Sequence, residues 1–311
     1  MIKFDRLMIL TNTSYISNIR NEAFVWKKGV LIYTQEIPFH LAIKVKNRRE
    51  ELVIEFTGKL LGKRYAELIS TQTIKQCFDN INALGICYLD YEKILNDSEV
   101  TSCDITTDVE CTFIKEMNRF MRNNIRSFRL FNAKLHKNGN LEIAKVADTN
   151  EAWKKITVYN KEIEMKKSTN RSFREAYDIS PFDFKDKCRF EIRVNSEEQV
   201  RQTLRITNTT LNTVLSTKAT PIHDFVDGVL APNAQTQVNT FRQYIHELVL
   251  KDCDYDLQKV EATLKDKYAP KTSMTKILKP YREALNRRNN PALEQNDVSM
   301  RDKIMEMLVS I

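Results

Sequence analysis

The sequence predicts an α+β fold: an antiparallel sheet with helices on one face, followed by an all-α C-terminal domain. Three observations carry this. Short β-rich runs separated by turns fill the first 65 residues and return between about 100 and 194. Asn138-Gly139 lies between two such runs, a strong hairpin signal. Beyond about Thr207, helical patterns dominate to the end. The boundary is placed near 205–220, dividing the chain into residues 1–205 and 206–311.

Taken in order, Leu7–Leu10, Val30–Thr34, His40–Val45 and Leu52–Phe56 read as strands. Thr73–Ala83 reads as a helix, with Ile74, Cys77, Phe78 and Ile81 on one face and Gly85 closing it. Val100–Asp108 is a strand. Phe113–Ile125 is a helix with Phe113, Met117, Phe120, Met121 and Ile125 as its apolar positions. Strands follow over Phe128–His136, Leu141–Val146 and Lys155–Lys161. The polar stretch Lys166–Asp186 reads as loop with some helix. Cys188–Val194 is a strand, and Ser196 starts a helix to Leu204 with a Ser-x-x-Glu-like cap. Helices over Asp224–Leu230, Gln235–Leu250, Leu257–Lys267, Thr275–Asn286 and Met300–Val309 complete the chain.

The chain has 311 residues and only 6 glycines, against about 7% in an average protein. It contains neither G-x-G-x-x-G nor G-x-x-x-x-G-K-[ST]; Gly58-Lys59-Leu60-Leu61-Gly62-Lys63-Arg64 has the wrong spacing and lacks the Ser/Thr. An enzyme that cradles nucleotide phosphates in a glycine-rich loop is therefore not expected. The 6 cysteines form no C-x-x-C pair and sit mostly in apolar surroundings, as buried reduced thiols of a cytoplasmic protein would. Charges interrupt every apolar run, so no signal peptide or membrane span is expected.

The formal charge is +8, from 49 Lys/Arg and 41 Asp/Glu. Residues 206–311 hold 14 of the former and 13 of the latter, which leaves +7 in the first 205. There Lys115, Arg119, Arg122 and Arg126 recur at helical spacing, and Arg129, Lys134 and Lys137 continue the run. Few acids interleave, so the stripe reads either as a solvated helix face or as a phosphate-binding surface.

Three strands carry polar side chains on one face. In Ser102–Asp108, Ser102, Asp104, Thr106 and Asp108 oppose Cys103 and Ile105. In Cys188–Val194, Arg189, Glu191 and Arg193 oppose Phe190, Ile192 and Val194. In Ile156–Lys161, Thr157, Tyr159 and Lys161 oppose Ile156 and Val158. If these strands are neighbours, Asp104, Glu191, Tyr159 and Lys161 share one sheet face. Carboxylates bind hard cations such as Mg²⁺ or Mn²⁺, which polarise a scissile phosphate. A tyrosine oxygen can attack phosphorus when a nearby cation helps it ionise, and Lys161 is placed to do so. Glu162 and Glu164 supply further carboxylates. The plainer alternative is a solvent-facing sheet surface with ordinary charge pairs.

At these segments the sequence resembles the replication initiators of filamentous phages, the gene-two nickase and ligase family, and related plasmid rolling-circle initiators. That family shows an Asp in an R-I-D-A-like strand, then a helix, a Y-x-K-x-x-E segment and an R-F-E-x-R strand. Here these are Cys103-Asp104-Ile105-Thr106, Tyr159-Asn160-Lys161-Glu162-Ile163-Glu164 and Arg189-Phe190-Glu191-Ile192-Arg193. The order and rough spacing match over about 95–205, and Cys103 departs from the family's usual arginine. No His-x-His pair exists, which excludes the initiators that bind metal through such a pair.

The resemblance implies a cytoplasmic enzyme of a bacterial host cell, encoded by a phage or plasmid. It would nick single-stranded or melted origin DNA, stay joined to the 5′ phosphate through tyrosine and later rejoin the strand. Tyr159 is then the nucleophile and Lys161 its cationic neighbour. Asp104, Glu164 and Glu191 are the candidate ligands for Mg²⁺ or Mn²⁺, and Arg189 and Arg193 hold phosphate. The C-terminal helices would recognise the origin, form a homodimer or recruit a host helicase or polymerase. Tyr177, near Arg174, is the rival nucleophile. Two other readings remain: a non-catalytic DNA-binding initiator or repressor that uses those helices, and a single-strand binder that uses Trp26, Tyr33 and Trp153.

Overall fold

The computed structural model describes residues 2–125, 131–145, 155–230, 241–267, 273–289 and 291–309. Twelve strands are present among them. They are β1 (Phe4–Asn12), β2 (Ile16–Ser17), β3 (Val25–Lys27), β4 (Val30–Gln35), β5 (Leu41–Lys46), β6 (Glu51–Thr57), β7 (Tyr88–Leu89), β8 (Glu99–Glu110), β9 (Phe131–Leu135), β10 (Leu141–Lys145), β11 (Lys155–Asn160) and β12 (Lys187–Val194). Ten form one antiparallel sheet in the order β3-β4-β5-β6-β1-β8-β12-β11-β10-β9, and β2 pairs only with β7. The centre of the sheet is therefore built by strands distant in sequence, and β8 lies between β1 and β12.

Period-2 patterning decides which way the sheet faces. Leu7 and Ile9 of β1, Leu52, Ile54 and Phe56 of β6, Cys103 and Ile105 of β8, and Phe190, Ile192 and Val194 of β12 are buried in one continuous core. Helices cover that face: α1 (Ile74–Ala83), α2 (Tyr91–Asp97) and α3 (Ile114–Asn123) from the first half of the chain. Phe78 of α1 meets Phe56 edge-on, ring centroids 5.9 Å apart.

Two short helices, α4 (Lys161–Met165) and α5 (Arg171–Tyr177), and the 3₁₀ turns of Gly58–Glu67 and Pro181–Phe184 build a second, smaller apolar cluster. It consists of Tyr65, Met165, Phe173 and Phe184. This cluster roofs one end of the polar face of the sheet. Lys161, read as the last residue of a strand, instead opens α4, because the Asn160 side chain accepts a hydrogen bond from the Ile163 amide and caps the helix.

The remaining helices are α6 (Glu197–Leu204), α7 (Leu211–Ser216), α8 (Pro221–Val229), α9 (Phe241–Asp252), α10 (Leu257–Lys267), α11 (Met274–Asn289) and α12 (Pro291–Val309). The chain after β12 is thus helical, as expected, but its packing divides differently from a cut near 205. Leu211, Val214, Ile222 and Val226 of α7 and α8, with Ile304 and Leu308 of α12, belong to the core under the sheet. Among the described residues, α9–α11 instead pack in a cluster of their own: Leu250, Cys253, Val260, Leu278 and Tyr281. The N-terminal part of the Gln235–Leu250 expectation lies outside the described residues. No helix among the described residues is long and apolar enough to cross a membrane. All six cysteines are buried, and burial pushes the Cys77 thiol up to about 12.

Candidate active site on the polar sheet face

Cross-strand register brings the predicted residues together. Asp104 of β8 pairs with Arg193 of β12, Asp108 with Arg189, and Arg189 in turn with Tyr159 of β11. Asp104, Glu191 and Tyr159 therefore share one face. The Tyr159 hydroxyl donates to Glu191 Oε2 at 3.2 Å. Arg193 donates to both oxygens of Asp104, at 3.2 and 3.1 Å, and lies 3.9 Å from Glu191. Its side chain is 55% exposed, so it presents guanidinium to solvent while it holds Asp104.

Asp104 is also held from β1. Arg6 donates to it at 3.2 Å, to Ser102 at 2.7 Å and to Glu55 at 2.9 Å. The pairing of β1 with β8 slips between Phe4 and Arg6, so Asp5 is an extra residue at a bulge. Such a bulge re-aims side chains, and here Asp5 joins the polar face. Its Oδ2 lies 3.1 Å from Arg189, and its Oδ1 is buried without a hydrogen-bond partner.

Arg189 was expected to hold phosphate, but it is fully buried. Its Nε and Nη2 grip Asp108 with two bonds of 2.7 Å, and Nη1 donates to the Tyr65 hydroxyl at 3.0 Å. This is the bidentate geometry that suits guanidinium and carboxylate. Burial pushes the Asp108 carboxyl up, and Arg189 outweighs it, holding the group below the usual carboxylate range. With all its nitrogens engaged, Arg189 organises the site and Arg193 is the arginine open to a ligand.

Lys161 is likewise buried, donating to the Tyr65 hydroxyl and to Glu164, each at 2.7 Å. Its ammonium lies 5.8 Å from the centre of the Tyr159 ring. Glu164 also accepts from Asn170 at 2.5 Å, and Lys59 donates to Asn170 at 2.7 Å. Burial pushes Glu164 up, and Lys161 and Asn170 more than reverse this.

Two groups bear on proton transfer. Burial, reinforced by the charges of Asp5 and Asp104, raises the Glu191 carboxyl to about 7. Burial keeps the Tyr159 phenol well above 10, although Arg189 pulls against it. At neutral pH Tyr159 is thus a protonated phenol whose hydrogen bond ends on a half-ionised carboxylate.

The predicted metal ligands fit a divalent ion poorly as a set. Asp104 is bracketed by Arg6 and Arg193, one step along β12 from Glu191, whereas Glu164 follows the end of β11 and is bonded to Lys161. Among the described residues, no group of three or more His, Cys, Asp or Glu is arranged to hold a metal.

The basic stripe falls elsewhere. Lys115, Arg119 and Arg122 are exposed on α3, whose Met117 and Met121 pack into the main core. They therefore lie on the helical side of the sheet, away from Tyr159, and Arg126 lies outside the described residues. Of the other aromatic candidates, Tyr177 packs on Phe173 and its ring comes within 2.8 Å of where a Cβ on Gly62 would stand. Tyr33 packs on Phe24. Trp26 is 62% exposed at the β3 edge, and Trp153 lies outside the described residues.

Reading the sequence alone missed Asp5, Arg6, Tyr65, Lys59 and Asn170. Asp5 and Arg6 precede the Leu7–Leu10 run, and only the pairing of β1 with β8 shows that they belong to the strand and lie at a bulge. Tyr65 carried no sign either, because its partners come from segments about a hundred residues away. Comparison of the chain with protein-family models, curated proteins and solved structures finds no match.

Proposed function

We propose that the chain is a rolling-circle replication initiator that nicks and rejoins single-stranded origin DNA through Tyr159. The observation that carries this reading is the Tyr159–Glu191 hydrogen bond on the polar face of the sheet. The bond joins a nucleophile to a base whose affinity for protons is near neutral. In the nicking step the Tyr159 oxygen attacks phosphorus while its proton passes to Glu191. The P–O3′ bond breaks, the leaving oxygen takes a proton from water, and the 5′ phosphate remains on Tyr159. Arg193 bonds the non-bridging oxygens, and the Lys161 charge offsets the developing phenolate. Rejoining is the reverse: a 3′ hydroxyl attacks the phosphotyrosine and Glu191 returns its proton. The order of the Asp104, Tyr159 and Glu191 motifs along the chain supports the same reading.

The test is incubation with end-labelled single-stranded oligonucleotides of randomised sequence in Mg²⁺, in Mn²⁺ and in EDTA. A denaturation-resistant protein–DNA adduct is expected, and Tyr159→Phe is expected to abolish it. An adduct that survives this substitution overturns the assignment of Tyr159. Absence of an adduct under every condition, with DNA still bound, favours a non-catalytic DNA-binding initiator.

A further inference from the structure

A pocket of about 580 Å³ opens on the helical side of the sheet, away from Tyr159. Its walls come from the start of the chain, β8, the α7–α8 connection and the end of α12. The floor is apolar: Ile2, Ile105, Leu215, Ile222 and Leu308. Among the described residues, the ionisable ones in the lining are Lys3, Lys218 and His223, and none is an Asp or Glu. The opening turn of α8, Thr220 to His223, also contributes, and no side chain caps that helix end. The positive end of its dipole adds to the lysines. In a chain with 41 Asp/Glu, described lining residues that include two lysines and no Asp or Glu suit an anionic ligand.

We propose that this pocket binds an amphiphile with an apolar body and a single anionic head, of the medium-chain carboxylate class. The volume lies in the range of small-molecule sites, about 300–1,000 Å³. The apolar floor takes the chain, and Lys3 and Lys218 take the carboxylate. The pocket is independent of the proposed nicking chemistry, yet it shares a strand with it. Ile105 and Thr107 line the pocket, while Asp104 and Asp108, one residue to either side, face the polar site.

Calorimetric titration of the full chain with sodium decanoate and with decan-1-ol tests this. Saturable one-to-one decanoate binding is expected, at least about tenfold tighter than for the alcohol, as a charge-assisted bond provides. The double variant Lys3→Gln/Lys218→Gln should erase that preference. Ala219→Trp and Val309→Trp place an indole at the rim. Val309 is 68% exposed, so the second change leaves the core intact. Loss of decanoate binding in either tryptophan variant locates the ligand here. No saturable decanoate binding to the unaltered chain, equal affinity for acid and alcohol, or unchanged binding in both tryptophan variants overturns the proposal.

Discussion

The Tyr159 hydroxyl lies 3.2 Å from the Glu191 carboxylate although the two residues are not directly paired. Tyr159 is opposite Arg189, and Glu191 is opposite Thr157, so the bond runs diagonally across the antiparallel ladder. Diagonal neighbours on one face are about 7–8 Å apart at Cα, within reach of a tyrosine and a glutamate. The geometry depends on register: a slip of one residue would turn Tyr159 into the core in place of Val158.

This pair sets a pH dependence for the proposed nicking reaction. Glu191 must be ionised to accept the phenol proton, and its carboxyl is raised to about 7 by burial and by Asp5 and Asp104. The rate of adduct formation is expected to rise about tenfold per pH unit below 7 and to level off above it. Glu191→Gln should lower the rate by about 10²–10⁴-fold and flatten this limb. A Glu191→Gln profile that still rises through pH 7 would assign the ionisation to another group.

The same carboxyl affects stability in the opposite sense. Its folded value of about 7 lies above the ordinary 4.5, so the folded chain holds the proton more tightly than the unfolded chain. The corresponding stability is fully present below pH 4.5 and is lost as pH rises through 7. Above that, ionised Glu191 is a burden of up to about 3 kcal/mol. Glu191→Gln should therefore be more stable than the unaltered chain at pH 8 and equal to it at pH 4, measured by urea unfolding. Equal midpoints at pH 8 would show that the carboxylate is solvated in the folded chain.

The sheet and most helices were legible because their signals are local. The alternation of Arg189, Glu191 and Arg193 against Phe190, Ile192 and Val194 gave both the strand and its faces, and Asn138-Gly139 gave the turn. The convergence of Asp104, Glu191 and Tyr159 followed from that alternation together with the pairing of β8, β12 and β11. What each charge does was not legible. Arg189 and Arg193 occupy equivalent positions in one strand, yet one is sealed under Tyr65 and Asp5 and the other reaches solvent. That difference arises from the roof formed by Gly58–Glu67, α4 and α5, segments without strong periodicity. That α7, α8 and α12 join the main core was not legible for a related reason. The apolar faces of α7, α8 and α12 read alike whether they bury against each other or against the sheet.

Tyr65 is the most consequential residue the sequence did not disclose. Its hydroxyl oxygen accepts from both Lys161 and Arg189, so it fixes the two buried cations at once. Tyr65→Phe leaves both donors short of a partner inside the protein, and a loss of about 1–3 kcal/mol is expected in urea unfolding. Adduct formation should fall as well, because Lys161 is freed from its position beside the Tyr159 ring. A variant with unchanged stability and rate would show that Glu164 alone suffices to hold Lys161.

The basic residues of α3 give a test of direction. Lys115, Arg119 and Arg122 lie on the helical side of the sheet, opposite Tyr159. Reversing all three to Glu is expected to leave adduct formation with short oligonucleotides within about twofold, since a short strand bound at Tyr159 lies on the other side of the sheet from them. Binding of long DNA should weaken and lose part of its salt dependence, by about one unit of slope per phosphate contact removed. Abolition of the short-oligonucleotide adduct would place the DNA path over α3.

Arg189 tests whether the site is held together by its buried charges. Its guanidinium lies between Asp108, Asp5 and Tyr65 with no exposed surface. Arg189→Met keeps the bulk but removes the cation that Asp5 and Asp108 share. Removing one partner of such a buried pair costs about 3–5 kcal/mol. In the unaltered chain Asp108 sits below the ordinary carboxylate range. Its contribution is therefore present above pH 3.8 and is lost as pH falls through its lowered folded value. In Arg189→Met, Asp108 has lost the strongest of the cations that lower it, with Lys161 and Lys187 remaining, and relieves its burial by taking a proton, so the deficit should be largest at pH 8 and shrink toward pH 4. Arg189→Lys is expected to recover little, because an ammonium cannot make two parallel bonds to Asp108 and still reach Tyr65. Urea midpoints for the three proteins at pH 8 and pH 4 decide it. A deficit that does not depend on pH would mean that Arg189 stabilises the fold by packing alone.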